Sequence, residues 1–395
     1  MAPSSRPAAA IVGVGATPYY IRGTSWPRTI EEMIGEAVLA ALSDGGLTVR
    51  DVDGFAYYST AKAGYSDSID TPLLMEMLGI PEVTFTATLT GGGGGSAGSI
   101  DLAATAIKAG KAKTVVTVMA LQQRNQRLGT IFGDKPPSPE SAFIIPSGLI
   151  GPGHLMAVMA QRHMYQFGTR REAFAEIVMA SRAAAANRPK AIRRTALTLD
   201  EYFASPMLAD PLCRLDFCLE TDGAVAVVTT SSERARDAKQ RPIYIAASAH
   251  GGLGAWGRSF SGMKMPNELF VSSGHGRIAE RLYAEAGITP DDIDVALLYD
   301  HFSAMVLMQL EDYGFCNKGE GGPFVESGAI RLDGSIPVNP HGGQLSEAYI
   351  IGMTHIVEAV EQLRGTAINQ VEDAEFALVT GGPASIPVSG VILRR

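Results

Sequence analysis

The chain has 395 residues, 46% hydrophobic and 19% charged, an ordinary globular composition long enough for two to three domains. A formal net charge of -8, with no Arg/Lys stripe interleaved with aromatics, argues against nucleic acid as a partner. The apolar run at residues 8–14 is too short for a signal peptide or a membrane span, so a cytoplasmic protein is expected.

In chain order, residues 8–14 read as a buried strand. Thr29, with Glu32 three positions later, forms a capping box for a helix whose apolar stripe is Ile30, Ile34, Val38 and Leu42. Residues 46–53 feed a strand at 54–59, followed by a short helix near 73–78 and a β-branched stretch at 83–89. Five glycines at 91–95 open a helix over 96–109, and 114–119 is another strand. The next hundred residues, to about Leu219, turn polar, Pro-rich and Met-rich. They hold helical segments near 156–165 and 172–187 and a basic group of Arg188, Lys190, Arg193 and Arg194. Strand alternation resumes only at 223–230, so this stretch reads as an insertion folding as a cap.

From Arg241 the first pattern restarts. Residues 243–247 repeat the opening strand, 276–286 form a helix, and Gly287-Ile-Thr-Pro-Asp-Asp-Ile-Asp294 repeats Gly46-Leu-Thr-Val-Arg-Asp-Val-Asp53 at an offset of 241 residues. The same offset lays Tyr58 over Tyr299. The Gly342-Gly343 loop and the helix after it echo the glycine run and its helix; 376–380 echoes 115–119, and 388–393 echoes 223–230. Such a repeat implies two duplicated α/β halves packed on one another, residues 1–235 carrying the insertion at about 121–219, and residues 236–395.

Gly93, Gly95 and Gly98 match a dinucleotide loop between strand and helix, but no acidic residue follows the next strand to take a ribose hydroxyl. Close helix packing, or room for a bulky ligand, explains the run better. Ser96 and Ser346 lack the Gly-x-Ser-x-Gly elbow of a serine hydrolase. Cys213, Cys218 and Cys316 read as free thiols, and His301 and His341 have only Asp300 near them, which suits orienting a neighbour better than holding a metal. Tyr299, Asp300 and His301 follow the strand at 295–298, at the end where α/β folds place their sites; half-buried packing is the competing reading of that tyrosine. His341 and Tyr349 flank a second glycine-rich loop. A tyrosine whose reference pKa is about 10 needs a polar or positive neighbour to act as a base, and His301 or His341 could supply one.

Over its whole length the chain resembles the thiolase superfamily, and within it the sterol-carrier type. Asn339-Pro-His-Gly-Gly-Gln-Leu-Ser-Glu-Ala-Tyr-Ile350 corresponds to that group's Asn-x-x-Gly-Gly-x-x-x-x-Gly-His-Pro, and Tyr299-Asp-His-Phe302 to its His-Asp-Cys-Phe. The departures matter. Gly95-Ser-Ala-Gly-Ser99 stands where a thiolase carries its nucleophilic cysteine, both motif histidines are tyrosines, and the C-terminal cysteine region reads Gly381-Gly-Pro-Ala-Ser385. Without a thiolate there is no acyl-enzyme.

This combination resembles the thiolase-like aldolases of bacterial steroid side-chain degradation. The resemblance implies a duplicated thiolase fold, two βαβαβαββ-type halves in αβαβα layers, with an inserted loop domain. It implies retro-aldol cleavage of a bulky, steroid-type β-hydroxyacyl-CoA into a ketone and a short acyl-CoA. Tyr299 would be the base, tuned by Asp300 and His301; Tyr349 would stabilise or protonate the enolate, and His341 would donate to the thioester oxygen. Gly95 would leave room for the ring system, with Ser96, Tyr58, Gly342 and Gly343 also at the substrate. No cofactor is expected in this chain, the CoA thioester being substrate. A homodimer is expected, bearing a small zinc-ribbon/OB-fold partner in a heterotetramer. A non-catalytic acyl-CoA or sterol carrier, or a scaffold subunit, is the alternative reading.

Overall fold

In the computed structural model, which describes residues 7–59, 71–90, 92–123, 145–253, 266–384 and 387–395, the first elements are β1 (Ala9–Ala16), β2 (Tyr20–Ile21), α1 (Ile30–Gly45), β3 (Gly54–Ser59), α2 (Thr71–Leu78), β4 (Phe85–Thr90), α3 (Gly95–Lys108) and β5 (Thr114–Leu121). Helices α4 (Pro152–Phe167), α5 (Arg171–Ala185) and α6 (Leu199–Ala204) and the antiparallel pair β6 (Met207–Ala209) and β7 (Leu212–Cys213) precede β8 (Thr221–Ser231). The C-terminal elements are β9 (Ile243–Gly251), α7 (Gly276–Ala286), β10 (Val295–Leu297), α8 (Ser303–Asp312), α9 (Gly321–Glu326), α10 (Met353–Arg364), β11 (Phe376–Gly381) and β12 (Val388–Arg394). Gly91, residues 124–144 of the insertion and Ser385 lie outside the described residues.

The expected capping box starts α1: Glu32 N donates to Thr29 Oγ1 at 3.2 Å and Thr29 N to Glu32 Oε2 at 3.0 Å. The repeat holds down to single hydrogen bonds. Thr48 N donates to Asp51 Oδ2 at 2.9 Å, as Thr289 N does to Asp292 Oδ2 at 2.7 Å. Asp53 accepts from Thr114 N at 2.8 Å, tying β3 to the start of β5; Asp294 accepts from Phe376 N at 2.9 Å, tying β10 to the start of β11. The parallel registers that result, Gly54↔Val115 and Val295↔Ala377, place Tyr58 and Tyr299 at corresponding heights.

Ten described strands form one sheet, ordered β10-β11-β12-β9-β1-β8-β5-β3-β4 with β2 beside β8. The halves join where β1 and β9 pair antiparallel, Ala10 opposite Tyr244 and Ile11 opposite Ile243. Strand alternation sorts side chains into layers. Phe55 and Tyr57 of β3 pack with Ile34 and Val38 of α1 on one outer face, while Ala56 and Tyr58 face inward. Val295, Leu297 and Tyr299 face inward from the second half, and Ala296 and Leu298 turn to its outer face with α7 and α8. Between the two inner faces lie α3 and α10, which contribute Ile100, Ala103, Ile356 and Val360 to that middle core. Both helices that leave glycine-rich loops therefore occupy the central layer of an αβαβα arrangement.

The inserted helices pack onto the second half: Met156, Phe174, Val178 and Tyr202 share a core with Met305, Leu307 and Val325. Helix α5 also covers the Gly343–Glu347 turn, where Ser181 Oγ donates to Gly342 O at 2.5 Å. No helix among the described residues is long and apolar enough to cross a membrane.

Candidate active site

The chain leaves β10 at Leu297 and delivers Tyr299 under the N-terminal turn of α3. Its backbone is locked by a closed set of bonds: Tyr299 N donates to Thr380 Oγ1 at 2.9 Å, Thr380 Oγ1 to Gln309 Oε1 at 2.6 Å, and Gln309 Nε2 to Tyr299 O at 2.9 Å. Tyr349 is clamped similarly by one hydroxyl of β8, since Tyr349 N donates to Thr221 Oγ1 and that hydroxyl donates to Tyr349 O, each at 2.9 Å. The two clamps bring the phenol oxygens to 3.4 Å from each other. Tyr299 is 2% exposed and Tyr349 8%.

Asp300, adjacent to Tyr299, is the hub that aligns the two segments. Its buried carboxylate accepts from Gln344 N at 2.9 Å, Leu345 N at 3.2 Å and His355 Nε2 at 3.1 Å, joining the end of β10 to the Gly343–Glu347 turn and to α10. A Cβ at Gly343, where φ is 59°, would lie 2.0 Å from Asp300 Oδ2, so only glycine admits this approach. Replacing Asp300 with alanine strands two buried N–H groups and is expected to cost about 2–4 kcal/mol. The same change loosens the turn leading to Tyr349. Urea unfolding measures the first effect and kcat the second; Asp300→Asn, which keeps an acceptor, should lose less of both.

The imidazoles are not positive neighbours. Burial pushes His301 down to about 3, against the pull of Asp300, and its ring stands edge-on to Tyr299 at 5.2 Å. His341 is held well below the usual range by burial first, then by His355 and Arg188; its ring packs edge-on to His355 at 4.8 Å. Burial likewise lifts the Tyr299 phenol well above its ordinary value, with Tyr349 and Tyr58 adding to the rise. The expected phenolate-stabilising cation is therefore supplied by neither histidine, and Tyr299 keeps its proton. Two buried phenols 3.4 Å apart can donate and relay protons.

The residues expected at the substrate are engaged by the chain itself. A Cβ at Gly95 would lie 2.1 Å from Tyr58 Cε2, so the space at Gly95 belongs to the Tyr58 ring and not to a ligand. Tyr58 is fully buried, its hydroxyl donating to Gly92 O at 2.8 Å, and therefore does not line an open pocket. Ser96 Oγ donates to Gly93 O at 2.9 Å. Gly342 lies under α5, where an added Cβ would be 2.7 Å from Ala185 Cβ, and Gly343 makes room for Asp300. Thr221, Gln309 and Thr380 escaped the sequence reading because each bonds a tyrosine 10 to 128 residues away, and His355 because it bonds Asp300 from 55 residues away, with no local pattern to mark them. The described residues contain no group of three His, Cys, Asp or Glu side chains able to hold a metal ion.

A duplicated αβαβα core with its polar site beneath the N-terminus of the central helix defines a chain of thiolase type. The family model described as Thiolase C-terminal domain-like matches residues 255–393. A Mycobacterium tuberculosis protein named 17-hydroxy-3-oxo-4-pregnene-20-carboxyl-CoA lyase is 40% identical over 98% of each chain, and a steroid side-chain-cleaving aldolase of Thermomonospora curvata is 36% identical over 98% of this chain and 97% of its own. The solved Ltp2-ChsH2(DUF35) aldolase superposes with a TM-score of 0.89 at 37% identity, covering 98% of both chains. An acetyl-CoA acetyltransferase from Syntrophomonas wolfei shares the fold at a TM-score of 0.69 and 14% identity. The chain belongs to the thiolase superfamily, in the branch of these steroid side-chain-cleaving lyases and aldolases.

Proposed function

We propose that this chain is a carbon-carbon lyase, cleaving a bulky, steroid-type β-hydroxyacyl-CoA by a retro-aldol reaction into a ketone and a shortened acyl-CoA. The observation that carries the reading is the pair of buried phenols 3.4 Å apart, in a thiolase fold whose nucleophile position is a glycine filled by Tyr58. Because burial keeps the proton on Tyr299, the two tyrosines take the reverse of the roles suggested by sequence. Tyr349, the more exposed phenol, accepts the β-hydroxyl proton while passing its own proton to Tyr299, and Tyr299 protonates Cα as the Cα–Cβ bond breaks. The electron pair of that bond becomes the thioester enolate, the β-carbon becomes the ketone, and both phenols end as they began. No cofactor enters these steps.

The solved aldolase relative pairs its chain with a DUF35 partner, which supports a partner of that type here. The finer reading is a small zinc-ribbon/OB-fold protein in a heterotetramer built on a homodimer of this chain, working in the cytoplasm. Incubation of the chain and such a partner with a β-hydroxyacyl-CoA bearing a tertiary hydroxyl should release ketone. Substrate bound but recovered unchanged is what a carrier would give, and it would refute the lyase reading.

A further inference from the structure

Tyr58 is the repeat mate of Tyr299, yet it has taken a different task. Tyr58 lies within β3 and Tyr299 just past β10; the two strands match in register, and both residues point into the middle layer. The glycine turn before α3 runs between their rings. A Cβ at Gly93 would lie 2.3 Å from Tyr299 Cζ, and one at Gly95 would lie 2.1 Å from Tyr58 Cε2, so two glycines on one turn are each fitted to one tyrosine. Gly92 O, which accepts from Gly95 N at 3.2 Å within that turn, also accepts from Tyr58 Oη at 2.8 Å. A third approach closes the far side of Tyr299, where a Cβ at Gly352 would lie 2.8 Å from Tyr299 Cδ2.

We infer that Tyr58 is a positioning residue for the phenol pair, its ring filling the space beside the start of α3 and its hydroxyl holding the Gly92 carbonyl, so that the turn supporting Tyr299 cannot move. Tyr58 acts through Tyr299 and touches no reacting atom. Removing its ring would leave a void next to Tyr299 that admits water and lets the turn shift a phenol that must meet its partner. A displacement of about 1 Å in a reacting group costs roughly 100-fold in rate. Water at Tyr299 also relieves the burial that lifts its pKa, so its deprotonation would move to lower pH. The kinetic half of this inference rests on the lyase reading, while the packing half does not.

The test uses the full chain with its partner and four variants: Tyr58→Ala, Tyr58→Phe, Gly95→Ala and Tyr58→Ala/Gly95→Ala. Tyr58→Ala should lower kcat by about 100-fold with KM within about twofold, and move the basic limb of the kcat profile to lower pH. Tyr58→Phe, which keeps the ring and loses only the Gly92 bond, should recover kcat to within about tenfold of wild type. Gly95→Ala should lower Tm when Tyr58 is present and have little effect in the Tyr58→Ala background. Wild-type kcat in Tyr58→Ala, a loss confined to KM, or an unmoved basic limb would overturn the inference, as would additive Tm losses. If wild-type chain cleaves no β-hydroxyacyl-CoA, the lyase reading fails by itself; coupled Tm losses then still support the placement of Tyr58 against Gly95, and additive losses defeat it.

Discussion

Phenylalanine at position 299 or 349 is expected to lower kcat for ketone release by about 10³-fold, with KM little changed and Tm near wild type. Each substitution keeps the ring that packs in the central layer and removes the hydroxyl through which a proton passes in the proposed reaction. Bulk water is poorly placed to substitute, because Tyr299 is 2% and Tyr349 8% exposed. The backbone clamps from Thr380, Gln309 and Thr221 act on main-chain atoms, so they survive both changes. Steady-state assays of ketone release set beside thermal melts separate this outcome from misfolding. Equal loss of folded protein would assign the tyrosines to packing.

Replacing Arg188 with methionine is expected to cost about 3–5 kcal/mol of stability near pH 8. Arg188 is buried, with Nε 2.9 Å from Glu347 Oε1, Nη1 2.9 Å from Glu358 Oε2 and Nη2 3.7 Å from Glu361 Oε2. The cluster pins the turn that leads to Tyr349, and main-chain bonds from Ile192 N to Glu347 O at 3.0 Å and from Arg193 N to Ser346 O at 2.9 Å reinforce it. Burial, opposed by Arg188, lifts Glu347 and Glu358 to about 7. Their folded pKa exceeds the unfolded value of roughly 4.3, so the folded state binds more protons. Their contribution to stability is fully present below about pH 4 and is lost as pH rises through 7. Urea unfolding from pH 5 to 8 should therefore show the Arg188→Met deficit growing with pH, and Glu358→Gln should flatten the pH dependence relative to wild type. A deficit independent of pH would mean that the carboxyls do not titrate as a unit with Arg188.

How much was legible in sequence depends on how far each interaction reaches along the chain. The duplication could be read because its punctuation is local: the caps at Thr48 and Thr289, and the aspartates at 53 and 294 that tie each half's strands together, recur at one offset. The tyrosine pair could be read from two motifs, but its electrostatics could not. Whether His301 and His341 are charged depends on burial by segments far off in sequence, and burial leaves both neutral. The glycines misled in a similar way. A glycine marks a close approach, and sequence does not say of what; at Gly95 and Gly343 the visitor is Tyr58 and Asp300, not a ligand. Arg188 stood in a basic group with nothing nearby in sequence to name its partners, which include Glu358 and Glu361, three apart on one face of α10.

A single-turnover reaction in D2O, with mass analysis of both products, separates retro-aldol cleavage by the phenol pair from thiolytic and hydrolytic courses. Cleavage by Tyr299 and Tyr349 yields ketone and shortened acyl-CoA in equal amounts, the acyl-CoA carrying one deuterium at Cα from the exchanged phenol. Free CoA released from an otherwise intact acid, or ketone formed at the wild-type rate when both tyrosines are phenylalanine, would contradict it.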